Sequence, residues 1–451
     1  MKCPRVLFGV VLGSAGLLLA VPGLAVSRYV AAGGADAANS CVNAASPCAM
    51  IQHAVDVALA GDSIEISPGV YNQRLGIEGR TNLTFEAEGV TLRPTAAVLG
   101  PSDVAQGSPC SGGRGRAVVF INDSSGIVLN GLSVDGSDAL PPSNEPDRLA
   151  GIFYRNSSGA IHGGFVAHLR TEPPSSNQVA GLAIIVQTSD PVAFPPPRVD
   201  IENVTVFDYQ KTGIVFSGCG CAADGGPTGS VRGSTITSET SALVARNGIQ
   251  VSFGAGGVVV ENNVVAGMRF TGNAALGLGS AVILASSRSN RLTGNTLSNS
   301  NFGISNIGDI SCAPRAGENV DNDIQCNRVL ANDWGMSIDN ATHVIRNNEF
   351  AGNTTFAILT RTYFPVGIDA DASHNWWGSP TGPTIASNPG GTGDPLDDRV
   401  LFSPFLTARP ACAVEIPASS PLGLTLLAFL LASAALLVLR LREQRGYHPV
   451  G

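Results

Sequence analysis

Through the middle of the chain the apolar positions come in short runs separated by turn residues. A six-residue phrase recurs: apolar, any, any, Asn or a small residue, any, apolar. It appears as Ile127-Val-Leu-Asn130-Gly-Leu132, Ile161-His-Gly-Gly164-Phe-Val166 and Val231-Arg-Gly-Ser234-Thr-Ile236. It continues as Val260-Glu-Asn-Asn263-Val-Val265, Leu292-Thr-Gly-Asn295-Thr-Leu297, Ile324-Gln-Cys-Asn327-Arg-Val329 and Ile345-Arg-Asn-Asn348-Glu-Phe350, with a weaker copy around Asn203. A second phrase alternates with it, a small residue leading a short apolar run, at Gly151, Gly181, Gly213, Gly248, Ala281, Gly303, Gly335 and Ala357. Its spacings are 30, 32, 35, 33, 22, 32 and 22 residues, so the smallest unit is near 22 and the longer ones carry insertions.

Such a unit has room for two or three strands and none for a helical period. Val and Ile dominate the apolar positions, as strands prefer. One unit cannot bury its own apolar face, whereas stacked units enclose a continuous core. Asn at one phase of successive units can form a ladder of side-chain amides, which assigns Asn130, Asn263, Asn295, Asn327 and Asn348 to one edge of a rod. A leucine-rich repeat fits less well: Leu does not dominate, its LxxLxL run is absent, and nothing between the phrases reads as helix.

With these phrases, residues 39–408 resemble the right-handed parallel β-helix proteins of the pectate-lyase-like fold. The resemblance extends to both flanks. Cys41–Leu59 with Gly61-Asp62 and Ile64–Tyr71 is similar to the family's entry segment, where an amphipathic helix caps the stack. There Ile51, Val55, Val57 and Leu59 are expected to face the first coil. His374–Gly378, Ser379–Pro383 and Phe402–Leu406 resemble its closing segment. The implied class is all-β: a β-helix solenoid with a short N-terminal capping helix.

Both ends of the chain are apolar. A basic Met1–Arg5, an apolar Val6–Val21 and a small, turn-prone Pro22–Ser27 have the layout of a secretory signal, assigned to residues 1–27, with cleavage after Ala25 or near Ala37–Ala38. Leu422–Leu439 has no charge and is followed by Arg440, Arg442 and Arg445. This predicts a transmembrane helix over 421–440, after a linker at 409–420 and before a short basic cytoplasmic tail at 441–451. Ile416-Pro417 ahead of the run resembles the start of bacterial C-terminal sorting signals, although Ala418-Ser419 stands where Thr-Leu is usual.

Composition agrees with an exported repeat protein. Of 451 residues 54 are Gly, which turns require, and 44% are apolar, enough to exclude disorder. The net charge is 27 − 35 = −8 with no central Lys/Arg cluster, which argues against a nucleic-acid partner. Nine cysteines, one of them in the signal, suit disulfides in an oxidising compartment. Spacing nominates Cys41 with Cys48 and Cys312 with Cys326. The Cys219-Gly-Cys221 pair lacks the partners that zinc needs, so no metal is expected.

Candidate chemistry is sparse. Asp321 with Asp323, and Asp369 with Asp371, are i, i+2 pairs that a strand would place on one face. They could hold Ca²⁺, or act as the acid and base of a glycosidase. Arg361 and Tyr363 share a face and would suit proton abstraction. Trp334, Trp376 and Trp377 could stack on sugars, the last two more naturally plugging the end of the coil stack. Family motifs for lyases and pectin hydrolases are absent, and the histidines share no spacing. The Pro-rich insertions at Asp135–Leu149, Arg170–Val179, Ser189–Arg198 and Ser217–Ser230 nominate a binding side. The expectation is a non-catalytic, monomeric envelope protein, held by its C-terminal helix, that presents a rigid surface to polysaccharide or a cell-surface partner. The alternative is a polysaccharide lyase or glycoside hydrolase, with Ca²⁺ required only in the lyase case.

Overall fold

The structure is a computed structural model. It describes residues 25–412 except 101–103, 106–113, 142–147, 173–180, 190–194, 219–224, 239–242, 273–277, 308–319, 340–341 and 362–366. The chain winds as a right-handed parallel β-helix. Each coil contributes one strand to each of three sheets: sheet A with eleven strands, sheet B with ten and sheet C with eleven. Sheet A runs from Ser27–Val30 through Ile127–Asn130 and Val258–Glu261 to Val344–Arg346. Sheet B runs from Gly69–Tyr71 to Glu349–Ala351 and sheet C from Leu75–Glu78 to Phe356–Thr360.

Register, not strand length, makes the core. Ile64, Phe85, Leu129, Ile161, Ile201, Val231, Val260, Leu292, Ile324 and Ile345 are successive partners along sheet A, and all are buried. A strand of three to five residues is unstable alone, but each such side chain gains about 1.5–3 kcal/mol by leaving water. The helix Ile51–Val57 covers the open end with Ile51, Ala54 and Val55, and Val57 packs partly against the core. Leu59, expected to face the first coil, is 65% exposed because it lies past the helix end. Trp377 closes the far end, stacked on Phe350 with ring centroids 5.3 Å apart.

The turn from sheet A to sheet B is where the amide ladder forms. It is two residues long in nearly every coil, and its first residue has a left-handed backbone: Gly131, Gly163, Asn203, Gly233, Asn262, Gly294, Cys326 and Asn347. Its second residue points inward. Asn263, Asn295, Asn327 and Asn348 occupy that place and are joined by Asn375, with Nδ2 to Oδ1 distances of 2.9, 2.8, 3.1 and 3.0 Å. Each Oδ1 also accepts the backbone N–H of the Asn one coil before, and each Nδ2 also donates to a strand carbonyl. A buried amide is tolerated on this condition of full pairing.

Asn130 is not in the ladder. Ile161 pairs with Leu129, not with Ile127, so Leu132 occupies the inward place and Asn130 sits outside, donating to Glu86. Ile127 and Leu129 both face the core, so the apolar pattern is equally satisfied after a two-residue slip, and only the left-handed Gly131 marks the true corner. A parallel series, Ser300, Asn332, Asn353 and Asp394, lines the start of the turn from sheet B to sheet C.

Two further expectations change. The fold begins upstream of residue 39, because Ser27–Val30 is the terminal strand of sheet A, paired with Ser63–Ile66. Cys41 bonds Cys48, but Cys326 bonds Cys412 across 86 residues instead of Cys312, which lies outside the described residues. The link fastens the segment before residue 413 to the ladder corner. No helix of the described residues is long and apolar enough to cross a membrane, and the expected span at 421–440 lies outside them.

Candidate functional site

The connections decide which face is available to a ligand. The turn from A to B has no room for decoration. The long insertions leave from sheet B into sheet C, at 136–147, 170–181, 238–246 and 267–279, or from sheet C into sheet A, at 188–197, 218–227 and 308–322. They therefore border both ends of the sheet C strands, and the outer face of sheet C is the floor between them. Loops gathered on one side of a solenoid mark its binding face.

That floor changes character along the rod. Near the N-terminal end Arg74, Glu78 and Arg80 line a cleft with Gln52, Asp56 and Phe120. Next comes a second apolar cluster, separate from the core: Ala117, Phe120, Ala150, Phe153, Leu182, Ile185 and Val215. The following coils place polar Thr212, Asn247 and Ser280 on the row that Ala117, Ala150 and Leu182 began.

At the C-terminal end the same row becomes aromatic. Phe302, Trp334 and Phe356 are successive register partners. Phe302 and Trp334 stack with centroids 5.0 Å apart and planes 21° from parallel. The next outward row carries Ser305 and Ser337, and Arg361 reaches over both, its guanidinium 3.4 and 3.2 Å from their hydroxyls. Burial pushes the Arg361 guanidinium below its ordinary value, and Asp339 opposes that shift. A partly open ring face beside hydroxyls and a held guanidinium can take the apolar face of a pyranose and hydrogen-bond its rim.

A second cluster lies on the outer side of sheet B, where the chain leaves Ser133–Asp135 and Phe165–Leu169 for sheet C. His168 Nδ1 is 2.8 Å from Asp135 Oδ1 and its Nε2 is 3.9 Å from Asp208 Oδ2. Arg170 bonds Asp208 and Glu172, and Arg93 pairs with Asp138 and Asp135. The His168 ring meets Phe207 edge-on at 5.6 Å. His168 and Asp208 both have left-handed backbones, uncommon for residues with a Cβ. Burial pushes the Asp135 carboxyl up, but hydrogen bonds from Ser137 and His168 outweigh it and hold the group below its usual range.

The residues nominated from sequence do not converge. Asp323 lies on sheet A beside Gln325 and Asp321 precedes that strand, while Asp371 pairs with Arg346 in the closing segment at 2.6 Å. Asp369 is exposed nearby. Arg361 belongs to the sheet C floor, and Tyr363 lies outside the described residues. The His168 group was invisible in sequence because its members are about one coil apart and meet only through register. The aromatic row left a readable trace: Phe302-Gly303-Ile304, Trp334-Gly335-Met336 and Phe356-Ala357-Ile358 each put an aromatic just before the recurring small residue. Among the described residues, the one group of metal-type donors within reach of each other is Cys41, Cys48 and His53, and its sulfurs are spent in the disulfide.

No protein-family model matches the sequence, and a comparison with curated proteins finds no match. Solved structures do resemble it. The GH136 lacto-N-biosidase from Eubacterium ramulus superposes with a TM-score of 0.54 at 11% identity, over 78% of this chain and 67% of that one. Its native-protein structure gives 0.51 at 11%, with the same coverage. A rhamnogalacturonan lyase gives 0.42 at 11% identity, over 84% of this chain and 87% of that one. At 11% identity the two lacto-N-biosidase superpositions establish a shared fold alone.

Proposed function

We propose that this chain is an exported, carbohydrate-binding β-helix that acts as a single rigid rod and takes a glycan along the outer face of sheet C. One observation carries the reading: Phe302, Trp334 and Phe356 form a register-locked aromatic row beside Ser305, Ser337 and Arg361, on the sheet that the insertions border. Two disulfides among the described residues support an oxidising compartment. The uncharged 421–440 run and the arginines after it support retention at the cell envelope. The lacto-N-biosidase that shares this fold supports a glycan-handling reading. An array of neutral and uronate-containing oligosaccharides, probed with wild type and Trp334→Ala, tests it. Binding that falls at least about tenfold in the variant, the ~1.4 kcal/mol of one ring face, is expected. Equal binding by both proteins, or none by wild type, would overturn it.

The Asp135–His168–Asp208 group favours a second reading, in which the same scaffold breaks the glycan. A histidine held between two carboxylates can shuttle a proton, and the arginines could receive acidic sugars. Incubation with uronate polymers, with and without Ca²⁺, separates the two readings. Unsaturated product that disappears in His168→Ala would establish the enzyme.

A further inference from the structure

We propose that the chain is processed between Ala25 and Val26, and that the α-ammonium group so created joins the buried Arg28–Asp62 ion pair at its rim. The inference goes beyond the glycan reading. It rests on the export signal and on the first described strand.

Asp62 is 2% exposed, and its carboxylate gathers donors from three places. Arg28 reaches Oδ2 through Nε and Nη2, both at 2.7 Å. The Leu59 N–H donates to Oδ2 at 2.9 Å, and the Val26 N–H donates to Oδ1 at 3.0 Å. Arg28 is itself buried and spends Nη1 on the Ser40 carbonyl. Oδ1 therefore takes its donor from the residue that would become the new terminus. Ala25 and Val26 are both exposed, while Arg28 and Val30 just beyond are buried. Burial sets in just past this peptide bond.

The sequence supports the same bond. Gly23 and Ala25 supply small residues three and one positions before it, following the basic and apolar segments. In the reaction, water adds across the Ala25–Val26 peptide, catalysed by a membrane signal endopeptidase. Hydroxyl goes to the Ala25 carbonyl carbon, forming its carboxylate, and the nitrogen leaves as an amine that is protonated at neutral pH. The neutral N–H donor at Asp62 thus becomes a cation in the same place, a stronger charge-assisted partner.

Cleavage near Ala37–Ala38 fits the structure poorly. It would cut away Ser27–Val30, which bonds Cys41 and Cys48 through Tyr29 and pairs with Ser63–Ile66. Asp62 would be left buried without Arg28.

The test uses the 451-residue precursor expressed in a secreting bacterium. The exported protein is labelled with an amine-reactive reagent, digested and read by mass spectrometry. A labelled N-terminal peptide beginning at Val26 is expected. A terminus at Ala38 or Asn39, any other terminus, or an uncut chain overturns the proposal. A second reading tests the ion pair: at pH 8 the Val26 amine should label at least tenfold more slowly in folded protein than in the same protein in denaturant. Asp62→Asn, where it folds, should remove most of that protection. Equal labelling in folded and denatured wild type overturns the pairing.

Discussion

Replacing Asn295 by Ala takes one rung out of the ladder, and the structure allows its cost to be worked out. The side chain makes four hydrogen bonds: Oδ1 accepts from Asn263 N at 3.0 Å and Asn263 Nδ2 at 2.9 Å, while Nδ2 donates to Val260 O and Asn327 Oδ1, both at 2.8 Å. The variant orphans two N–H donors of Asn263 in a site where Asn263 and Asn295 are at most 1% exposed. Each orphan costs about 1–3 kcal/mol. The two acceptors keep other partners, so their loss adds about 0.5–1 kcal/mol together. A total of roughly 2.5–7 kcal/mol follows, which for a domain of this size lowers the melting midpoint by roughly 3–9 °C. Asn130→Ala is the control: that amide lies outside the ladder and makes one exposed bond to Glu86, so its effect should stay within about 0.5 kcal/mol. Thermal unfolding followed by circular dichroism compares the two. Equal midpoints would refute the reasoning, because it assigns the cost to burial and pairing and not to the Asn residue itself.

Other consequences are equally concrete. His343 is buried next to Asn322, and burial pushes its imidazole down to about 4 despite the opposing charge of Asp321. The folded state therefore refuses a proton that the unfolded chain binds below about 6.5, so stability present above that pH is lost as pH falls toward 4, by about 3 kcal/mol in all. Urea midpoints from pH 7 to 4 should show this loss and His343→Asn should flatten it; a wild-type curve without slope would contradict it. Cys326→Ser releases the segment ending at Cys412, and closure over 86 residues sets a ceiling of about 4–5 kcal/mol on the loss. A non-reducing peptide map should contain the Cys326–Cys412 pair, and a Cys312–Cys326 peptide would refute that connectivity. Arg361→Ala should weaken glycan binding while leaving the melting midpoint within a few degrees; unchanged affinity would remove Arg361 from the site.

Architecture was readable because it rests on repetition. The apolar phrases mark inward strand positions, and Asn263, Asn295, Asn327 and Asn348 stand in the ladder to which the phrase assigned them. Phase is less secure wherever two inward residues flank one outward residue: the phrase sets Asn130 in the place that Leu132 holds, two residues on, and it does not reach Asn375 behind His374. A left-handed Gly, Asn, Cys or His immediately before the Asn is the sharper marker. Chemistry was hardest to read. Cys326 prefers a partner far along the chain because the closing segment folds back over the ladder corner, and chain distance says nothing of that. Asp135, His168 and Asp208 become neighbours only through register, whereas the i, i+2 carboxylate pairs were conspicuous in sequence and stay in separate parts of the rod.

Hydrogen–deuterium exchange, with and without an oligosaccharide selected from the array, locates the ligand on the rod. Added protection is expected in Phe302–Ile307, Trp334–Ile338 and Phe356–Thr360, with sheets A and B unchanged. Protection confined to sheet A or B, or to the His168 edge alone, would contradict sheet C as the ligand face.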